Sequence, residues 1–177
     1  MRRLFLSLFI IALQLMTLTV IAEGMSSTGT VEVFFSPNGG ATEAIVREIV
    51  KARQEILVQA YSFTSKPIAN ALLDAHRRGI KVVAVLDKSQ RTEKYSGATF
   101  LANAGIPVYI DSQHAIAHNK IMIIDRQTLI TGSFNFTKAA EERNAENLLV
   151  IKGNPQLIGK YLSNFEEHKG HSELYAR

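Results

Sequence analysis

The chemistry of this chain is concentrated between His118 and Asn135, where an imidazole (His118), an ammonium (Lys120), a carboxylate (Asp125), a hydroxyl (Ser133) and an amide (Asn135) follow one another closely. Between them, Ile121 to Ile124 reads as a buried strand. Side chains of an extended strand alternate faces, so His118 and Lys120 point the same way, and so do Ser133 and Asn135. A nucleophile or proton carrier beside a fixed positive charge and two neutral hydrogen-bonding groups is suited to gripping an anion and attacking it. Asp125 lies an odd number of positions from His118, and is expected to be an orienting or structural residue.

The elements needed to hold these groups can be read on either side. Val31 to Phe35 is a short β run, followed by a turn at Ser36 to Gly40 and a helix over Thr42 to Arg53 with Ile45, Ile49 and Ala52 on one face. Glu55 to Tyr61 is a second strand, and Ser65 with Pro67 opens a helix that turns Ile68 and Leu72 inward. Ile80 to Leu86 is apolar almost throughout, as expected when both faces of a sheet are covered. A polar stretch from Asp87 to Gly97 leads into a short helix ending at Gly105, and Ile106 to Ile110 is a fourth strand. Asn119 to Ile124 and Thr128 to Thr131 form a hairpin turning at Asp125-Arg126-Gln127. Asn147 to Ile151 is a further strand, and Asn154-Pro155 opens a final helix with Leu157, Leu162 and Phe165 inward. The expected fold is α/β: a mixed, mostly parallel sheet with helices on both faces.

Residues 1–22 stand apart from this pattern. Arg2 and Arg3 precede an apolar run from Leu4 to about Ala22, which reads as a secretory signal cleaved after Ala22, with a retained membrane anchor as the alternative. Cleavage implies export to a bacterial periplasm and no stable membrane association. Residues 23–177 then form one domain large enough to bury a substantial core. Its formal charge falls from +4 to +2, because Arg2 and Arg3 are the only charges removed. A mildly basic domain permits a nucleic-acid partner without demanding one. The clusters at Arg77-Arg78, Lys88 to Lys94 and Lys138 to Arg143 are read singly as solvated faces. The chain has no cysteine, which excludes thiolate catalysis and a cysteine-rich zinc site.

His118-x-Lys120-x-x-x-x-Asp125, trailed by Gly132-Ser133-x-Asn135 and by Asn144-Ala-Glu146-Asn147, resembles the HxKxxxxD signature of the phospholipase D superfamily. A small exported chain with one copy is most similar to that superfamily's bacterial periplasmic endonucleases. The resemblance implies a metal-independent, sequence-nonspecific endonuclease acting on DNA, with RNA left open, and needing no cofactor. It implies catalytic roles for His118, Lys120 and Glu146, phosphate contacts from Lys120, Ser133 and Asn135, and structural roles for Asp125 and Gly132. Glu146 is expected to accept a hydrogen bond from the second ring nitrogen of His118 and so fix its tautomer. Larger members carry two motifs meeting at one site, whereas His76, His114, His168 and His171 each lack a lysine two residues on. A homodimer with its active site at the interface therefore follows from the resemblance and the count.

Two other functions compete. A phospholipase or phosphatidyl transferase of the same superfamily would use identical chemistry, and a non-enzymatic envelope or DNA-transfer protein would have lost it. The intact constellation argues against the last. The four remaining histidines are read as ordinary surface or core residues, and Gly39-Gly40 as a turn more readily than a phosphate cradle. Tyr61 and Phe63 suit either the core or base stacking. Glu141-Glu142 is expected to point away from the cleft, where it would repel phosphate.

Overall fold

The structure is a computed structural model that describes residues 29–93 and 96–175; the expected signal segment lies outside the described residues. The apolar runs form the centre of a sheet. In chain order the elements are β1 (Thr30–Ser36), α1 (Ala41–Lys51), β2 (Glu55–Ala60), α2 (Lys66–Arg77), β3 (Lys81–Asp87), α3 (Gly97–Asn103), β4 (Val108–Asp111), β5 (Lys120–Ile124), β6 (Thr128–Gly132), α4 (Lys138–Glu142), β7 (Glu146–Lys152), α5 (Pro155–His171) and β8 (Glu173–Leu174). The strands form one sheet in the order β1-β7-β6-β5-β2-β3-β4-β8.

Alternation along β2 divides the core in two. Ile56, Val58 and Ala60 face a layer holding α1, α2 and α3, with Ile45, Ile49, Leu72 and Leu101 among its buried residues. Leu57 faces the other side with Val83, Val85, Ile121, Ile123 and Leu129, under Ile158 and Phe165 of α5. Every residue of β2 is buried, which explains a strand without polar alternation.

The mixed sheet and its two-sided helical cover agree with the expectation, but the balance of directions differs. Only β2–β3 and β3–β4 pair in parallel, against five antiparallel pairings. The physical reason is that the β5–β6 hairpin continues into β7, and β1 then pairs with β7 at the sheet edge rather than beside β2. Ser65 occupies the N-cap position of α2 without using its hydroxyl as a cap; its backbone N–H donates to Phe136 O at 2.9 Å. Asn154 caps α5 through its side chain, which accepts from Leu157 N at 3.0 Å.

Candidate active site

β5 begins with Lys120 in register with Ala60 at the end of β2. β6 ends at Gly132, whose register partner is Leu148 near the start of β7. The antiparallel turns therefore bring Lys120, the Gly132–Asn135 segment and Glu146 to one end of three neighbouring strands. Tyr61 closes the group from the end of β2, its N–H donating to Asn119 O at 2.8 Å.

The two principal residues differ in exposure. The His118 side chain is exposed, whereas Lys120 is only 6% exposed. Lys120 Nζ donates to the His118 backbone oxygen at 2.9 Å and lies 5.2 Å from the centre of the Tyr61 ring. The His118 ring rests on the same tyrosine, with centroids 4.6 Å apart. Burial pushes the Lys120 pKa below the usual lysine value, against an upward pull from the charge of Glu146. An ammonium has three donors, and one is committed here, so two remain for an anionic ligand. Tyr61, left between core and stacking roles by its sequence, is the platform on which both groups sit.

Ser133 and Asn135 follow β6 at this same end of the sheet. Ser133 Oγ accepts from the Asn147 backbone N–H at 3.1 Å and from its side-chain amide at 3.3 Å, leaving the hydroxyl hydrogen free to turn outward. Asn147 also takes the N–H groups of Ser133 and Phe134 on its backbone oxygen, at 3.1 and 3.2 Å. Its role in fixing Ser133 is a sheet contact that local sequence does not reveal. The Asn135 amide oxygen is buried with no partner among the described residues. An unfilled amide position of this kind suits a ligand oxygen once the amide turns its NH2 outward.

Gly132 has φ of 147°, and a Cβ there would lie 2.3 Å from Asn147 O. Only glycine lets β6 pass so close to β7 before Ser133 turns into the site.

The Glu146 carboxylate accepts from Asn144 Nδ2 at 3.2 Å, and the hydrogen bond expected from His118 does not form among the described residues. Its position at the first residue of β7 leaves it beside the short Asn144 amide and within electrostatic reach of Lys120.

Asp125 is structural. Its carboxylate accepts the backbone N–H groups of Arg53, Gln54 and Glu55 at 2.9, 2.8 and 3.0 Å, tying the hairpin turn to the start of β2. Asp125 and Arg126 both have positive φ, 52° and 54°, in a tight turn closed by the Gln127 N–H donating to Ile124 O at 3.0 Å. The motif's last residue thus sets the register of β5 from the end opposite His118.

The Glu141 carboxylate fills the position considered for a phosphate. It accepts Gly40 N at 3.2 Å and Thr42 N at 2.7 Å, capping α1 from the short helix α4. Gly39-Gly40 is accordingly a turn. Phe63 is fully buried and packs edge-on against Phe136. His76 remains an ordinary residue of α2. His114, His168 and His171 are not ordinary, because all three converge on the buried Asp111.

The family model described as "Cardiolipin synthase, PLD-like domain" matches residues 45–169, which span the core, Tyr61 and the whole constellation. The chain belongs to the phospholipase D superfamily. A Rickettsia typhi protein named Phospholipase D is 42% identical over 149 residues, covering 84% of this chain and 72% of the relative. Nuc from Salmonella typhimurium, a phospholipase D family member of known crystal structure, superposes with a TM-score of 0.81 at 38% identity, over 84% of this chain and 99% of Nuc. NucT from Helicobacter pylori gives 0.76 at 25% identity, over 83% of this chain and 99% of NucT. This superfamily member therefore carries the machinery of phosphodiester hydrolysis on the fold of Nuc.

Proposed function

We propose that the protein is a metal-independent, sequence-nonspecific endonuclease that hydrolyses phosphodiester bonds of DNA at a site completed by two copies of the chain. The observation that carries this reading is the exposed His118 imidazole on Tyr61, above a buried Lys120 and beside Ser133 and Asn135. In the proposed reaction, neutral His118 of one chain attacks phosphorus and forms a phosphohistidine. The partner subunit's His118, protonated, donates to the leaving 3′-oxygen, then as base draws a proton from the water that releases a 5′-phosphate. Two Lys120 ammoniums with Ser133 and Asn135 oppose the charge that grows on the non-bridging oxygens, a task performed elsewhere by metal ions.

Two features support pairing of chains. The groove between α2 and α3, about 560 Å³ and lined by residues such as Thr64, Lys66, Asn70 and Phe100, includes none of the site residues. The constellation instead lies open at the sheet end, as half of a shared site would. On β1, Val31, Val33 and Phe35 point outward together and are 57%, 51% and 65% exposed. This apolar row leads to the site, because Phe35 and Ser36 are the register partners of Asn147 and Glu146.

The name of the Rickettsia typhi relative favours a second reading, a phospholipase or phosphatidyl transferase using the same residues. The fit over 99% of Nuc and NucT favours the nuclease, because both are chains of a single such unit. We place the protein in a bacterial periplasm on the strength of its N-terminal pattern. The test is cleavage of plasmid DNA by purified protein in excess EDTA, beside hydrolysis of phospholipid vesicles, with His118→Ala as control. DNA cleavage lost in the variant supports the reading. Intact DNA with His118-dependent lipid hydrolysis replaces it with the second.

A further inference from the structure

Asp111, the last residue of β4, has no solvent exposure, and three histidine rings surround its carboxylate. His114 Nδ1, His168 Nδ1 and His171 Nε2 lie 3.0, 2.7 and 3.3 Å from the same oxygen, Oδ2. The other oxygen, Oδ1, accepts the backbone N–H groups of Gln113 and His114 at 3.0 and 3.4 Å. A carboxylate oxygen offers about two lone-pair sites, so Oδ1 is filled by two donors and Oδ2 is oversubscribed by three. The three imidazole rings also pack on one another, with centroids 4.7 to 5.3 Å apart.

One cation relieves the crowding at Oδ2. The four donor atoms, one carboxylate oxygen and three imidazole nitrogens, all lie within 4.8 Å of one another. A tetrahedral zinc ion with bonds of about 2.0–2.1 Å needs donors roughly 3.3 Å apart, which small rotations of the side chains supply. Imidazole nitrogens with a carboxylate suit zinc, copper or nickel better than magnesium or calcium.

We propose that Asp111, His114, His168 and His171 form a binding site for a divalent transition-metal ion, zinc by preference, that is structural rather than catalytic. Four protein ligands close a tetrahedral shell, leaving no position for water or substrate. The ligands come from separate parts of the fold: the end of β4, the loop after it, and the last turn of α5. The ion would fasten α5 to the sheet edge at the point where β8 returns to pair with β4 through Tyr109 and Ile110. It would also hold the loop running from Asp111 to His118, whose other ties include Ala117 N to Asp87 Oδ2 at 2.8 Å and Lys88 Nζ to His114 O at 3.1 Å. This site is separate from the proposed nuclease chemistry and does not depend on it.

The test uses the full chain without a polyhistidine tag, treated with EDTA and then freed of chelator. Zinc chloride is titrated by calorimetry, and thermal unfolding is followed with and without the metal. The expected result is one zinc per chain, and a Tm raised by about 5–10 °C at a hundredfold excess over Kd. His168→Gln should abolish stoichiometric uptake. His114→Ala removes the most exposed ring, leaves the buried carboxylate covered, and should weaken binding at least about tenfold. His118→Ala should bind zinc as the wild type does. The proposal is overturned if the folded wild type takes up no zinc, if His114→Ala binds as tightly as wild type, or if uptake depends on His118. These readouts use no substrate, so failure of the nuclease reading leaves them unaffected.

Discussion

Lys120 Nζ donates to the backbone oxygen of His118 at 2.9 Å, so the residue that carries the fixed charge also holds the main chain of the proposed nucleophile. Replacing Lys120 with Met removes the phosphate-facing charge and this tie together. Activity should fall about 10²–10³-fold, the usual loss for one electrostatic donor at a developing negative charge. Folding should be little affected, because the ammonium is buried at a desolvation cost that Met avoids. Steady-state kinetics beside thermal unfolding measures the two separately.

The same burial gives an alkaline signature. Burial lowers the Lys120 pKa, so the folded chain loses this proton at lower pH than the unfolded chain does. Across the interval between those two values the unfolded chain binds more protons, and this residue's contribution to stability rises with pH. Its charge, and with it the grip on phosphate, is lost over the same interval. Activity should therefore decline on the alkaline side of its optimum, below the usual lysine range, without a matching loss of Tm from this residue. The requirement for one neutral and one protonated His118 adds an acid limb, making the profile bell-shaped. A flat pH–rate profile would contradict the two-histidine assignment.

Asp125→Ala separates structure from chemistry within one motif. It removes an acceptor of three backbone hydrogen bonds and should cost about 2 kcal/mol of stability. Activity per folded molecule should change far less than in His118→Ala. Thermal unfolding with active-site-normalised rates checks both.

Gly132→Ala makes the opposite point about a residue without a side chain. The added Cβ would meet Asn147 O at 2.3 Å on a backbone with φ of 147°. The expected outcome is a loss of roughly 3 kcal/mol. Activity should be impaired even below the unfolding temperature, because Ser133 is displaced from Asn147.

The site was legible where it is local. His118, Lys120, Ser133 and Asn135 lie at or just beyond the open end of one hairpin, so its closure brings them to one end of the sheet, although only Lys120 is in a strand and alternation does not order the rest. The buried centre of the sheet was legible for the same reason, because β3 carries an unbroken apolar run from Val82 to Leu86. What escaped depends on contacts between distant segments. Nothing local tells β1 to join β7 at the sheet edge, or β5, β6 and β7 to run antiparallel beside β2, and these pairings make the sheet mostly antiparallel. Glu141 reaches α1 across about a hundred residues of chain, and Asp111 meets His168 and His171 only after α5 has crossed the sheet. Tyr61 was noticed, but its role under His118 and Lys120 required the β2–β5 register.

The most direct measurement of the central claim is subunit mixing. Inactive His118→Ala chains are unfolded and refolded with wild type at increasing ratios, and phosphodiesterase activity is recorded against the wild-type fraction. If two chains share one site, a hybrid has a single histidine and is inactive, so activity should follow the square of the wild-type fraction. Activity proportional to that fraction would contradict the shared site and return the whole reaction to a single chain.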